Sequence, residues 1–301
     1  MTPDIDLPVS LTPFQALGIP IALIGAVFLS IGAQLQHRGV AKVERRLGAE
    51  ATGMSIRQLI ALVGRPSWVL GTLMLGLAIL FQLTSLRIAP LLVVQPLGAV
   101  ALVITAILNA RTTKRRLEPK AKRAIAFCVG GVGLFVTIAA FVAVETPIDR
   151  RQLITVLIIL LVVVAGLGVA FRLFRRRRSA LFYIIGAGVL YGFVATLAKI
   201  VLNRLFSGNF EWLTIICIVF LLGAGALGGY FVQNAYSSGP PDLVIAGLTV
   251  VDPLIAVGIG IIVLGEAANA PAWSAILFVI AGALAVYGVF QLAKYHPQTK
   301  R

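Results

Sequence analysis

Charge is what this chain has least of. Only 12% of its 301 residues are Asp, Glu, Lys or Arg, against about 25% in a soluble domain, and the mean hydropathy is +0.99. A water-soluble core cannot hide that much apolar surface, so the solvent is lipid. Histidine is almost missing as well. The only two, His37 and His296, lie outside the apolar runs, which argues against an intramembrane serine or zinc protease. An aspartyl protease needs two carboxylates sharing a site, and Asp252 is the one deep carboxylate. No G-x-x-x-x-G-K-[ST] loop is present, so no ATP-driven motor is encoded. The two cysteines, Cys128 and Cys217, lie in different runs and read as buried thiols rather than a disulfide scaffold. No enzyme activity and no cofactor are expected.

What the chain does have is nine apolar runs of about 20 residues, the length that crosses a bilayer. They begin near Phe14, Ser67, Pro90, Lys122, Gln152, Ala180, Trp212, Leu243 and Pro271. A lipid-exposed backbone must bond within its own segment, so the runs are helices; "VLIILLVVVAGLGVAF", Val156 to Phe171, lacks the alternation of a barrel strand. The fold class is therefore all-α, a polytopic membrane protein of nine transmembrane helices. The first run has no basic start and reads as a retained span rather than a signal peptide.

Basic residues fall in every second loop. Arg38 to Arg65, Arg111 to Arg123, Arg172 to Arg178 and the tail from Lys294 hold 21 of the 26, whereas the intervening loops hold Arg87, Arg150, Arg151 and Arg204. By the positive-inside rule the N-terminus is outside and the C-terminus inside, in a cell membrane. The net charge of +15 then faces anionic lipid, not nucleic acid.

An internal repeat organises the chain. Placing Gln95-Pro96 over Asp252-Pro253 aligns Leu91 to Ala110 with Leu248 to Ala267, and nine of the twenty positions are identical. The shared core is V-V-x-P-L-x-A-V. Gln82 precedes Pro90 by the same spacing as Gln233 precedes Pro241, and "AIAF" at Ala124 matches "AILF" at Ala275. The chain thus divides into a first repeat of spans 1 to 4 (residues 1–145), a linking fifth span with a basic end (146–178), and a second repeat of spans 6 to 9 (179–301). Corresponding spans are five apart, an odd number, so the second repeat is inverted. Inverted repeats are a feature of secondary transporters, whose site lies near the midplane between the halves.

The stretch "SLRIAPLLVVQPLGAVALVITAILNARTTKRRL", Ser85 to Leu117, followed by a glycine-rich span, resembles the drug/metabolite transporter superfamily (EamA-like), and within it the NIPA-type magnesium transporters. "VVDPLIAVGIGIIVLGEAANAPAWSAILFVIAGALAVYG" is similar to that family's second-half signature, with Gly265-Glu266 at the end of span 8. The first half has Leu108-Asn109 at the aligned positions. The resemblance implies transport of a small solute or, from the magnesium branch, of a divalent cation; nine spans with an outside N-terminus fit that branch better than the usual ten.

Candidate site residues follow from depth. Asp252 is about nine residues into span 8, roughly 13 Å at 1.5 Å per residue. A carboxylate there costs at least about 2.5 kcal/mol unless paired or facing water. Pro253 removes a backbone donor and clashes with the preceding turn, so Pro253, and Pro96 in the other half, are expected to break their helices beside Asp252 and Gln95. Lys199 is the expected ion-pair partner of Asp252, or else a marker of the outer boundary with Arg204. Gln82, Tyr191, Gln233 and Asn234 complete a candidate substrate or coupling-ion site, with Gln34, Gln36, Thr84, Thr196 and Tyr230 as further polar residues within spans. No metal ligand set is assigned. The partners expected are a small-molecule or ion substrate and the bilayer, and a homodimer is left open. Three readings stay open: a secondary transporter of a small solute, a magnesium or divalent cation transporter, and a non-transporting or lipid-handling membrane protein.

Overall fold

The computed structural model describes residues 11–47, 56–112, 118–145, 147–173, 179–208 and 210–295. Much of the basic-loop charge, including Arg115, Arg116, Arg175 to Arg178 and Arg301, lies outside them. Within them the chain is helical and no strand occurs. The helices are α1 (Pro13–Ala16), α2 (Gly18–Leu47), α3 (Ile56–Val63), α4 (Pro66–Ile88), α5 (Leu91–Thr112), α6 (Pro119–Val142), α7 (Arg150–Leu173), α8 (Ala180–Phe206), α9 (Trp212–Ser238), α10 (Pro241–Ile262) and α11 (Ala272–Tyr295).

Among the described residues nine spans are long and apolar enough to cross a membrane, the first running from Pro13 through α1 and along α2 to Val40 and the others being α4 to α11. At 1.5 Å per residue, the shortest of these spans about 33 Å, just more than the hydrocarbon core. Local chemistry sets their starts. Pro66, Pro119 and Pro241 stand in the first turns of α4, α6 and α10, where a missing N–H costs nothing. Asp149 and Gln152 cap α7 reciprocally, the Gln152 amide donating to Asp149 Oδ1 at 2.7 Å and the Asp149 amide to Gln152 Oε1 at 2.9 Å.

Packing follows one plan in both parts of the chain. In the first, α2 packs on α4 and on α5, and α5 on α6; in the second, α8 packs on α9 and on α10, and α10 on α11. Across the two, α5 meets α10 and α6 meets α11. With no hydrophobic force between helices in lipid, close packing at small residues holds these pairs. A Cβ at Gly131 would collide with the backbone of Ala285, and one at Gly288 with the backbone of Cys128, so α6 and α11 touch main chain to main chain. On α8, Gly188 and Gly192 lie against Val251 and Ile255 of α10. Polar glue is sparse: the Ser30 hydroxyl donates to Ala101 O and that of Ser85 to Gly18 O, both at 2.8 Å.

The prolines do not break their helices. Pro96 lies inside α5 and Pro253 inside α10, and both helices run on past them. Each proline removes a single amide donor, leaving the carbonyl four residues earlier, Leu92 or Thr249, without its usual partner, a loss that neighbouring helices in a bundle absorb.

Candidate functional site

The expected site separates into two places along α8. At one end of the bundle, the turn before α5, the segment between α6 and α7, and the segment between α10 and α11 converge on Lys199. Its ammonium lies 2.9 Å from Glu145 Oε1 and 3.1 Å from Glu266 Oε1, and donates to Ala89 O at 3.0 Å. The lysine is 2% exposed. Glu266 is also the anion at the start of α5, accepting from Leu91 N on Oε1 and Leu92 N on Oε2, both at 2.8 Å. A carboxylate there meets free N–H groups and the positive end of the helix dipole together.

The backbone makes this arrangement tight. Gly265 has φ +72°, which L side chains rarely adopt, and the turn carries the Glu266 amide back onto Gly260 O at 2.9 Å. A Cβ at Gly260 would come within 2.7 Å of Glu266 Oε2, so only glycine leaves the carboxylate its space. The Val144 amide donates to Glu266 O at 2.8 Å, which ties the two segments to each other. Burial pushes the Glu145 carboxyl above the ordinary carboxylate range; Lys199 opposes that rise and the Glu266 charge adds to it.

Asp252 is the second place, and Lys199 is not its partner. Gly192 of α8 stands against Asp252 O, a Cβ there reaching it at 3.0 Å. Lys199 is seven residues further along, about 10 Å at the helix rise, which a lysine side chain cannot recover while its ammonium is held at the end of the bundle. Asp252 is half-buried, and its buried Oδ1 has no hydrogen-bond partner among the described residues. Tyr191 is within electrostatic reach of Asp252, and Tyr236 of Tyr191. The Tyr191 ring packs on Gly228 of α9, a position where a Cβ would come within 3.1 Å of it.

Gln95, aligned with Asp252, is 6% exposed, and its Nε2 likewise lacks a partner among the described residues. Gly260 meets Leu91 where α5 and α10 cross. Counting away from that contact, Gln95 is four residues along and Asp252 eight, so they differ by about 6 Å in depth. Pro96 and Pro253 line one cavity of ≈ 70 Å³ with Val132, Phe135 and Val257, almost wholly apolar. The prolines thus share a cavity while the polar residues before them do not line it.

The remaining candidates are dispersed. Gln82 is half-buried on α4, and its backbone nitrogen lies near Gly25 of α2. Gln233 is exposed on α9, and Asn234 donates to Tyr230 O of its own helix at 2.7 Å. Arg204 pairs with Glu211 at 3.2 Å and donates to the Thr214 hydroxyl, as an end-of-span residue would. Sequence reading missed Tyr236 and did not join Glu145 and Glu266 to Lys199. The Gly265-Glu266 pair was the available signal, since a glycine before an acid after an apolar run marks a turn that aims a carboxylate.

An uncharacterised protein of Corynebacterium glutamicum is 25% identical over 281 residues, 92% of this chain and 95% of its own length. No protein-family profile and no solved structure matches the chain.

Proposed function

We propose that this nine-helix membrane protein is a secondary transporter of a small solute, related to the drug/metabolite transporters and built from two inverted halves that expose a central site alternately. The observation that carries the reading is the pair of buried polar atoms, Gln95 Nε2 and Asp252 Oδ1, without partners among the described residues. Each costs about 1–3 kcal/mol, and they occupy equivalent places before equivalent prolines. A fold that keeps such a cost twice, at matched positions, is keeping it for a ligand.

The contact between α6 and α11 supports the inverted arrangement. The shift of 157 positions that lays Pro96 on Pro253 also lays Gly131 on Gly288 and Cys128 on Ala285. Gly131 contacts Ala285 and Gly288 contacts Cys128, the reciprocal pair that a two-fold axis produces. This register replaces the match of Ala124 with Ala275, which is six residues out of step with it.

Purified protein in vesicles should take up a solute from a metabolite panel with saturable kinetics. Saturable flux of a divalent cation alone would transfer the reading to the magnesium branch. Among the described residues no group of three or more His, Cys, Asp or Glu gathers, so such an ion would meet Asp252 with most of its water retained. Absence of any flux would favour the lipid-handling alternative. For orientation, a cysteine at exposed Ala268 should react with an impermeant thiol reagent from outside intact cells and one at Ser238 should not; the opposite pattern would invert the topology.

A further inference from the structure

The cluster at the end of the bundle has a feature that a static brace does not need: its two carboxylates are held very unequally. Five polar contacts link the first repeat to the second here: Lys199 to Glu145, Lys199 to Ala89 O, Glu266 to Leu91 N and Leu92 N, and Val144 N to Glu266 O. Glu266 engages both carboxylate oxygens and both backbone groups. Glu145 holds Lys199 through Oε1, with Asn203 alongside, and its Oε2 is unbonded. It sits in a segment without regular structure, and its side chain is 18% exposed against 3% for Glu266.

We propose that Lys199, Glu145 and Glu266 form a releasable latch that closes this end of the bundle, with Glu145 as the member that lets go. Charge and backbone hydrogen bonding together decide which member can leave. Withdrawal of Lys199 would strand two buried carboxylates, a strongly unfavourable state, and withdrawal of Glu266 would leave the Leu91 and Leu92 amides at the start of α5 without their acceptor. When Glu145 withdraws, Lys199 and Glu266 remain a neutral pair, and the start of α5 keeps its carboxylate. Glu145 is also the more exposed of the two carboxylates. The purpose of the latch rests on the alternating-access reading; its mechanics do not.

The test is a distance measurement without any substrate. Nitroxide labels at exposed Phe14, before the first repeat's long helices, and Asn269, in the second repeat's turn, report the opening, while the buried Cys128 and Cys217 stay in place. Wild-type protein should give one dominant distance by pulsed electron resonance. Glu145→Gln should raise the population of a longer distance roughly tenfold, as expected for removing one charge-assisted hydrogen bond. Glu145→Asp, which keeps the charge but withdraws it by one methylene, should shift the distribution less and in the same sense. Unchanged distributions in both folded variants would overturn the latch, and so would failure of both to fold, since Glu145 would then be structural. Opening without solute flux in any vesicle assay would remove the transporter reading and leave the latch standing; flux with no opening would do the reverse.

Discussion

Lys199→Met should destabilise the folded protein by about 3–5 kcal/mol, the cost of stranding charge that has lost its buried partner. The lysine is the cation that contacts both Glu145 and Glu266, and methionine fills most of its volume, so lost packing is a minor part of the effect. Glu266 would keep its two amide donors from α5; Glu145 would keep no cation. Adding Glu145→Gln to Lys199→Met should therefore restore part of the loss, because the worse placed of the two charges is gone. Thermal unfolding in detergent reads both steps. Equal melting temperatures for wild type and Lys199→Met would show that the cluster contributes nothing net, and the absence of any recovery in the double variant would show that Glu145 is not charged in the folded state.

Asp252→Asn should abolish saturable flux while leaving insertion and melting temperature close to wild type. The amide has the shape of the carboxylate and retains an acceptor oxygen, so a side chain that served only to fill space beside Pro253 would tolerate it. A carboxylate that carries a proton or meets a cation needs its ionised form during part of the cycle, which the amide lacks. Full flux in the variant would make Asp252 structural. The separation of about 10 Å between Asp252 and Lys199, estimated from the helix rise, adds a second condition: Lys199→Met should not rescue Asp252→Asn, and their stability effects should add, as distant sites do. Rescue would mean that the two charges meet in another state of the protein.

The nine helices were legible because the bilayer reduces the problem to run length. The expected starts near Phe14, Ser67, Trp212 and Pro271 lie within a residue of the observed first positions Pro13, Pro66, Trp212 and Ala272. Three starts were less close: at Lys122 and Leu243 a proline in the first turn preceded the apolar run, and at Gln152 two arginines did, neither of which hydropathy registers. Pairing was less legible. Lys199 and Asp252 were the two buried charges visible in span sequences, and pairing them was economical. The real partners of Lys199 stand outside the spans, 54 residues before it and 67 after it, where acids look like ordinary loop residues. Pro96 and Pro253 looked like helix breaks because the rule for soluble helices is strict, whereas α5 and α10 lie against neighbours on several sides.

Helix α8 carries both Gly192, against the Asp252 turn, and Lys199, in the cluster at the end of the bundle. Two turns of α-helix resist compression far more than side-chain contacts do, so those points move as the ends of a push-rod. A shift of about 1 Å along its axis, driven by something seated beside Asp252, would carry the ammonium by the same amount. The Lys199–Glu145 contact, now 2.9 Å, would lengthen towards about 3.9 Å, beyond the range of a hydrogen bond. An occupant that does not press on the Asp252 turn would exert no thrust. The stiffness of this single helix therefore decides how much of a push at the Asp252 turn reaches the far end of the bundle.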